Sequence, residues 1–218
     1  MLIILNFCSY FIFFFANYYF FENYYFLKFF LLYNYIMSVC VLTRFKNERH
    51  IMYEFINHYL EEGVDCFILI DDNSNDNYLD LNKDWMDELI KSKKIIIEKG
   101  KTIQGKEYNL HLKKIKMFEW VIICDMDEFF FSVPQNSTLK SLLNNELIIY
   151  DYIRVPWKLF KHDCYYQPKS VINDNLYTHS TKIDPTTKGG WKYFAKTNKI
   201  SNLGIHSCDF HRVNKKIP

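Results

Sequence analysis

Four short apolar runs, SVCVLT at 38–43, CFILI at 66–70, KIIIE at 94–98 and WVIIC at 120–124, alternate with segments of helical periodicity. Runs so short and so continuously apolar read as strands buried on both faces. Their alternation with helices implies an α/β fold, a mostly parallel sheet with helices on both faces. The helices are expected at Glu48–Glu62, over NKDWMDELIKS at 82–92 and at Glu107–Met117. In such sheets ligands bind beyond the carboxyl ends of the strands. The polar clusters of the first half of the chain all fall at those ends.

The fourth run gives the sharpest of them, EWVIICDMDEFFF at Glu119–Phe131. On an extended strand, Asp125 and Asp127 at i and i+2 point the same way, so at the strand end they can share one divalent cation and the diphosphate it holds. The like charges of Asp125, Asp127 and Glu128 repel unless a cation joins them, and Mg²⁺ or Mn²⁺ is hard enough to take oxygen ligands. Glu128 can instead orient a neighbouring ligand. A solvated acidic turn is the plain alternative. The first run leads into TRFKNERH, where Arg44, Lys46, Asn47 and Glu48 leave the strand together. The plain reading there is a helix start with Asn47 as N-cap and Glu48 in the first turn. The second run leads into IDDNSNDN, either an Asx-type turn or a site where a carboxylate accepts from a base N–H and from ribose hydroxyls.

With 218 residues and 49% hydrophobic content the chain can bury one sizeable core. A net charge of +2 from 27 basic and 25 acidic residues argues against nucleic acid as a partner. Only Arg44, Arg49, Arg154 and Arg212 are arginine, and Phe and Tyr are abundant, so lysine richness reflects composition bias more than function. The six cysteines, Cys8, Cys40, Cys66, Cys124, Cys164 and Cys208, form no CxxC pair. Cys40, Cys66 and Cys124 lie in apolar runs, where a thiol acts as a small buried hydrophobe, consistent with a reducing compartment. A zinc site from His162, Cys164, His206, Cys208 and His211 has suitable ligand chemistry but no recognised spacing. Residues 1–36 differ in kind, with Glu22 and Lys28 as their only charges. They are long and apolar enough for a single-pass N-terminal anchor, yet lack a basic n-region and a cleavage site. The other reading places the start at Met37, and localisation is accordingly membrane-anchored or cytoplasmic.

KNE after the first strand, DDNSND after the second, Gln104 with Asn109, and then WVIICDMDEF occur in an order that resembles the GT-A glycosyltransferases of the family 2-like group with a DxDEF metal motif. The resemblance covers 38–132 and continues more weakly to His206 through RVPWKLF, SVINDNLYTHS and WKYFAKTNKISNLGIHS. It implies a GT-A domain over 37–218, with a nucleotide-binding half at about 38–132 and an acceptor-side half at about 133–218. It implies that Asp72 contacts the nucleobase and that Arg44 and Glu48 line the nucleotide pocket. Asp125 would approach the ribose or the metal, Asp127 would be the principal metal ligand, His206 a third ligand, and Lys192 would lie near the diphosphate. Two departures, Phe160-Lys161 after the P-W motif and a missing arginine in SVINDNLYTHS, put the acceptor side in question.

The expected reaction is metal-dependent, inverting transfer of a hexosyl unit from a nucleotide-diphosphate donor, UDP-sugar first, to a hydroxyl of a glycan, protein or lipid, with Mn²⁺ or Mg²⁺. A base must take the acceptor proton. Asp163, Asp174 and Asp184 are candidates, with Asp163 preferred because it follows the strand carrying Trp157. Trp157 and Trp191 are candidates to stack on sugar. Two alternatives are a non-catalytic carbohydrate- or nucleotide-binding relic of the same fold, and a phosphotransferase with Asp125 as nucleophile.

Overall fold

The structure is a computed structural model, and it describes residues 38–132, 137–156, 158–160, 170, 180–182 and 190–211. Residues 1–36 lie outside that set. So do Trp157, His162, Asp163, Cys164, Asp174 and Asp184. Among the described residues no helix is long and apolar enough to cross a membrane.

The four apolar runs become β1 (Val39–Phe45), β2 (Cys66–Asp71), β3 (Ile95–Lys99) and β4 (Trp120–Ile123). Between them lie α1 (Arg49–Glu61), a 3₁₀ turn at Tyr78–Asp80 and α2 (Lys83–Lys91). After β3 come α3 (Gln104–Leu110) and α4 (Leu112–Ile115). The single helix expected at Glu107–Met117 therefore starts earlier and is interrupted at His111. Then follow α5 (Leu139–Asn145), β5 (Tyr152–Pro156), β6 (Lys158–Phe160), β7 (Ser180–Lys182), β8 (Trp191–Lys196), β9 (Ile200–Leu203) and β10 (Cys208–Phe210).

The main sheet has the order β3-β2-β1-β4-β8-β5. Its first four strands are parallel, with Phe45 opposite Asp71, Asp71 opposite Lys99 and Leu42 opposite Ile123. Their carboxyl ends are thus brought to one edge. β8 runs antiparallel to β4, with Tyr193 opposite Ile123, so its first residues come to that edge from the other direction. β5 is antiparallel to β8, while β6 with β7 and β9 with β10 form separate two-stranded antiparallel sheets.

Residues alternate between the two faces of the sheet, as strand geometry requires. Val39, Val41, Phe67, Leu69, Trp120 and Ile122 pack on one side with Phe55 and Tyr59 of α1, Met86 of α2 and Leu143 of α5. Cys40, Leu42, Ile68, Ile70, Val121 and Ile123 pack on the other with Tyr108 of α3, Ile115 of α4 and Leu203 of β9. Full burial of each large apolar side chain contributes about 1.5–3 kcal/mol. The mostly parallel sheet covered by helices on both faces is the α/β architecture expected for a GT-A fold.

One polar clamp ties α3 to β9 on the second face. The Asn109 amide donates through Nδ2 to the Leu203 carbonyl and accepts at Oδ1 from the Leu203 N–H, both at 2.7 Å. It completes an edge of β9 with a side chain. The following turn is tight, because a Cβ on Gly204 would stand 2.7 Å from the Ser207 carbonyl oxygen. Asn109→Ala should lower stability by about 1–3 kcal/mol, since it leaves two backbone groups unpaired, read as a lower urea midpoint with an unchanged m-value.

Candidate active site

β4 ends at Ile123, so the two aspartates that follow do not extend it. The Glu128 N–H donates to the Asp125 carbonyl at 3.1 Å, and Asp125 N–H donates to Glu128 Oε2 at 2.8 Å. This reciprocal pairing makes a turn with Met126 buried and Asp127 exposed at its tip. The strand-based argument for parallel carboxylates is thereby corrected, since a turn sets their directions. The turn is fixed from below by Tyr59, whose hydroxyl donates to the Glu128 carbonyl at 2.9 Å and accepts from the Phe130 N–H at 3.1 Å. Glu128 thus holds the Asp125 backbone N–H.

Asp125 is held on both oxygens. Gln104 Nε2 donates to Oδ1 at 3.1 Å, and Lys192 Nζ donates to Oδ2 at 2.7 Å. Lys192 has 0% side-chain exposure and also stands 3.3 Å from Glu128 Oε2. Burial by itself would lower the Lys192 pKa, but its bonds to Asp125 and Glu128 outweigh that and raise it, so the ammonium stays charged. Burial and the Asp125 charge push the Glu128 carboxyl up to about 7, against the opposing pull of Lys192. Lys192 reaches this position because β8 is antiparallel beside β4.

The loops after β1 and β2 interlock around the same edge. Asn47, Asn73 and Asn77 adopt left-handed backbone with φ of 56°, 57° and 49°, a region asparagine tolerates better than most residues. Asn47 N–H donates to Ser74 Oγ at 3.0 Å, and Asn75 N–H donates to Asn47 Oδ1 at 2.8 Å. Asn47 is therefore not the N-cap of α1, as the plain reading of TRFKNERH had it. That position is Glu48, which makes no side-chain cap. Asp76, from the second loop, accepts the Arg49 N–H at 2.8 Å in its place. Within IDDNSNDN, Asp71 accepts from the Ser74 N–H at 2.7 Å and pairs with Lys99 at 2.6 Å. Burial works to raise the Asp71 pKa, but Lys99 and Ser74 outweigh it and hold the carboxyl below its ordinary value. Asp71 is thus a buried structural acid, while Asp72 turns outward to pair with Arg44 at 2.8 Å.

Glu48 is half-buried and faces this edge. Its carboxyl is pushed up to about 7, first by burial and then by the charges of Asp127, Asp125 and Asp76. Glu48 Oε2 and Asp76 Oδ1 are buried with no hydrogen-bond partner. The site therefore carries negative charge beyond what Lys192 neutralises.

His206 sits in the turn between β9 and β10. Its Nδ1 lies 3.1 Å from the Trp191 carbonyl oxygen, while Trp191 Nε1 donates to the His206 carbonyl at 3.0 Å. It neighbours Lys192 in this way, but among the described residues no three His, Cys, Asp or Glu groups form a metal-ligating cluster. That holds for Asp125, Asp127 and His206, and for His206, Cys208 and His211. Burial and then Asp209 push the Cys208 thiol up to about 12, which keeps it protonated near neutrality.

Carboxylates gather round one buried ammonium at the carboxyl ends of a parallel sheet, where α/β enzymes bind their ligands. The chain belongs to glycosyltransferase family 92, whose sequence profile matches residues 35–216. A glycosyltransferase was expected from the motifs, and the family that matches carries the number 92. No curated protein sequence matches the chain. Among solved structures, it is similar to the mannosyltransferase PcManGT from Pyrobaculum calidifontis in complex with GDP-Man and Mn²⁺, at 18% identity and a TM-score of 0.38. That match covers 48% of this chain and 32% of the other. It is also similar to S. aureus TarS 1–349, at 17% identity and a TM-score of 0.38, covering 57% of this chain and 40% of the other. In complex with UDP-GlcNAc the same protein matches at 18% identity and a TM-score of 0.37, over 57% of this chain and 38% of the other. The chain spans well under half the length of these structures.

The raised Glu48 pKa fixes the sign of a pH effect. Below its ordinary value of 4.5 the carboxyl is protonated in both folded and unfolded chains, and from there to about 7 only the folded chain keeps the proton. Its contribution to stability is therefore full at low pH and lost as pH rises through about 7. Glu48→Gln should flatten that fall and be more stable than wild type at pH 8, by thermal denaturation across pH 4 to 8.

Proposed function

We propose that the chain transfers a hexosyl group from a nucleotide-diphosphate sugar, with a UDP-sugar first in order, to an acceptor hydroxyl of a glycan, protein or lipid. Transfer inverts the anomeric centre and depends on Mn²⁺ or Mg²⁺. The observation that carries this reading is Asp125, fixed by Gln104 and the buried Lys192, beside the exposed Asp127 at the edge where Arg44, Glu48 and Asp72 also emerge.

The residues present fit a divalent cation. The orphaned Glu48 and Asp76 oxygens and the upward push on Glu48 mark a surplus of negative charge. Asp127 and Asp125 would hold the ion, with His206 as the further candidate. Two carboxylates are enough, because Mg²⁺ and Mn²⁺ fill their remaining positions from phosphate oxygens and water. Once bound, such an ion supplies Lewis-acid stabilisation of the charge on the departing diphosphate.

The remaining work belongs to the chain. Lys192 places a fixed positive charge beside Asp125, where a diphosphate can be oriented without a mobile side chain having to be ordered. Arg44 and Asp72 present a donor and an acceptor to the nucleoside end. The acceptor hydroxyl oxygen forms the new bond to the anomeric carbon as the bond to the diphosphate oxygen breaks, and its proton passes to a carboxylate base. Asp163, Asp174 and Asp184, the candidates for that base, lie outside the described residues.

Thermal denaturation of the full-length chain with nucleotide diphosphates and nucleotide sugars, with and without Mn²⁺, tests this reading. A nucleotide at about a hundred times its Kd should stabilise by about 2.7 kcal/mol. The shift should require Mn²⁺, disappear in Asp127→Ala, and be accompanied by transfer or hydrolysis of the sugar. A chain that no donor stabilises does not carry this function.

A further inference from the structure

Glu107 is 1% exposed and sits in the first turn of α3. A carboxylate so placed would be costly without partners. Its Oε2 accepts from the backbone N–H groups of both Lys101 and Thr102, each at 2.8 Å, and its Oε1 lies 3.4 Å from His111 Nε2. Burial acts to raise its pKa, but those amides and His111 outweigh it, so the carboxyl stays ionised and accepting.

What it holds bears directly on the donor side. The Thr102 carbonyl accepts from Arg44 Nη1 at 2.8 Å, and Arg44 Nη2 lies 2.8 Å from Asp72 Oδ2. The loop preceding Thr102 lies against the same strand end: Gly100 N–H donates to the Asp71 carbonyl at 2.9 Å, and a Cβ on Gly100 would come within 3.3 Å of that oxygen. A continuous path of hydrogen bonds thus runs from a buried acid, through one backbone segment, to a guanidinium and an outward-facing carboxylate.

We propose that Glu107 is a positioning residue for the donor nucleotide, holding the 101–102 segment so that Thr102 aims Arg44, and Arg44 aims Asp72, at the nucleoside end. The proposal rests on the donor-site reading above. Its physical reason is the partial exposure of the pair, at 17% for the Arg44 side chain and 32% for Asp72. A half-exposed ion pair contributes little by itself and samples several geometries. The planar guanidinium, pinned on one nitrogen to a fixed carbonyl, presents the other in one direction, and preorganisation of this kind lowers the ordering cost of binding.

A role confined to finishing α3 would lower stability and leave nucleotide affinity unchanged in Glu107→Ala. The test is a double-mutant cycle in the full-length protein, titrating UDP and GDP with Mn²⁺ by calorimetry. Glu107→Ala and Arg44→Ala should each weaken the bound nucleotide about tenfold, and together no more than the worse of the two, because they remove one path. Glu107→Gln keeps an oxygen to accept both amides and should bind within about threefold of wild type. Where alanine does not fold, Glu107→Asp, too short to reach the amides, takes its place. Hydrogen exchange should show protection of the Lys101 and Thr102 amides lost in Glu107→Ala and kept in Glu107→Gln. Additive losses, wild-type affinity in a folded Glu107→Ala, or unchanged protection would overturn the role of Glu107 alone. Failure of the wild type to bind either diphosphate would instead remove the donor site, and this role with it.

Discussion

The site depends on one buried ammonium. Lys192 has no exposed side-chain surface, and an ion removed from water loses several kcal/mol of solvation unless partners replace it. Asp125 at 2.7 Å and Glu128 at 3.3 Å are those partners. The dependence runs both ways, because the DMDE turn without Lys192 would crowd carboxylates with no counter-charge. The lysine, the turn and the tyrosine beneath it therefore form one electrostatic unit. The carboxyls of Glu48, Asp76 and Asp127 lie close enough to this unit for their charges to act on one another, and Asp127 is the exposed one.

Around that unit the chain fastens loops to loops with short polar side chains. Ser74 accepts from the Asn47 N–H, Asn47 from the Asn75 N–H and Asp76 from the Arg49 N–H, so the loops after β1 and β2 are ordered together. Asparagine suits this because it tolerates left-handed backbone and can offer an amide to a neighbouring segment. IDDNSNDN thus divides its labour: Asp71 and Asp76 build the loops, while Asp72 is left to face outward.

Much of this was legible in the sequence wherever residues act locally. β1 to β4 were readable because each is a continuous apolar run, and the ligand edge followed from their parallel order. The turn at Asp125–Glu128 was not, since period-2 reasoning assumed that the strand continued past Ile123. The resemblance placed Lys192 only near a diphosphate; its pairing with Asp125 was not legible, because it joins residues 67 positions apart through an inserted antiparallel strand. Glu107 carried no signal as a site residue. Its partners are backbone amides, which have no identity in a sequence, and only the fold says which ones a carboxylate meets.

The placement of β8 also joins two requirements in one strand. β8 covers the β4 edge of the parallel strands, whose backbone groups would be unpaired without it. Such an edge is open to pairing with the wrong strand. The strand that closes it also carries the ammonium that quiets the acidic turn. Edge protection and charge neutralisation thus depend on the same six residues, so a change that displaces β8 exposes a sheet edge and strips the acidic turn of its counter-charge together.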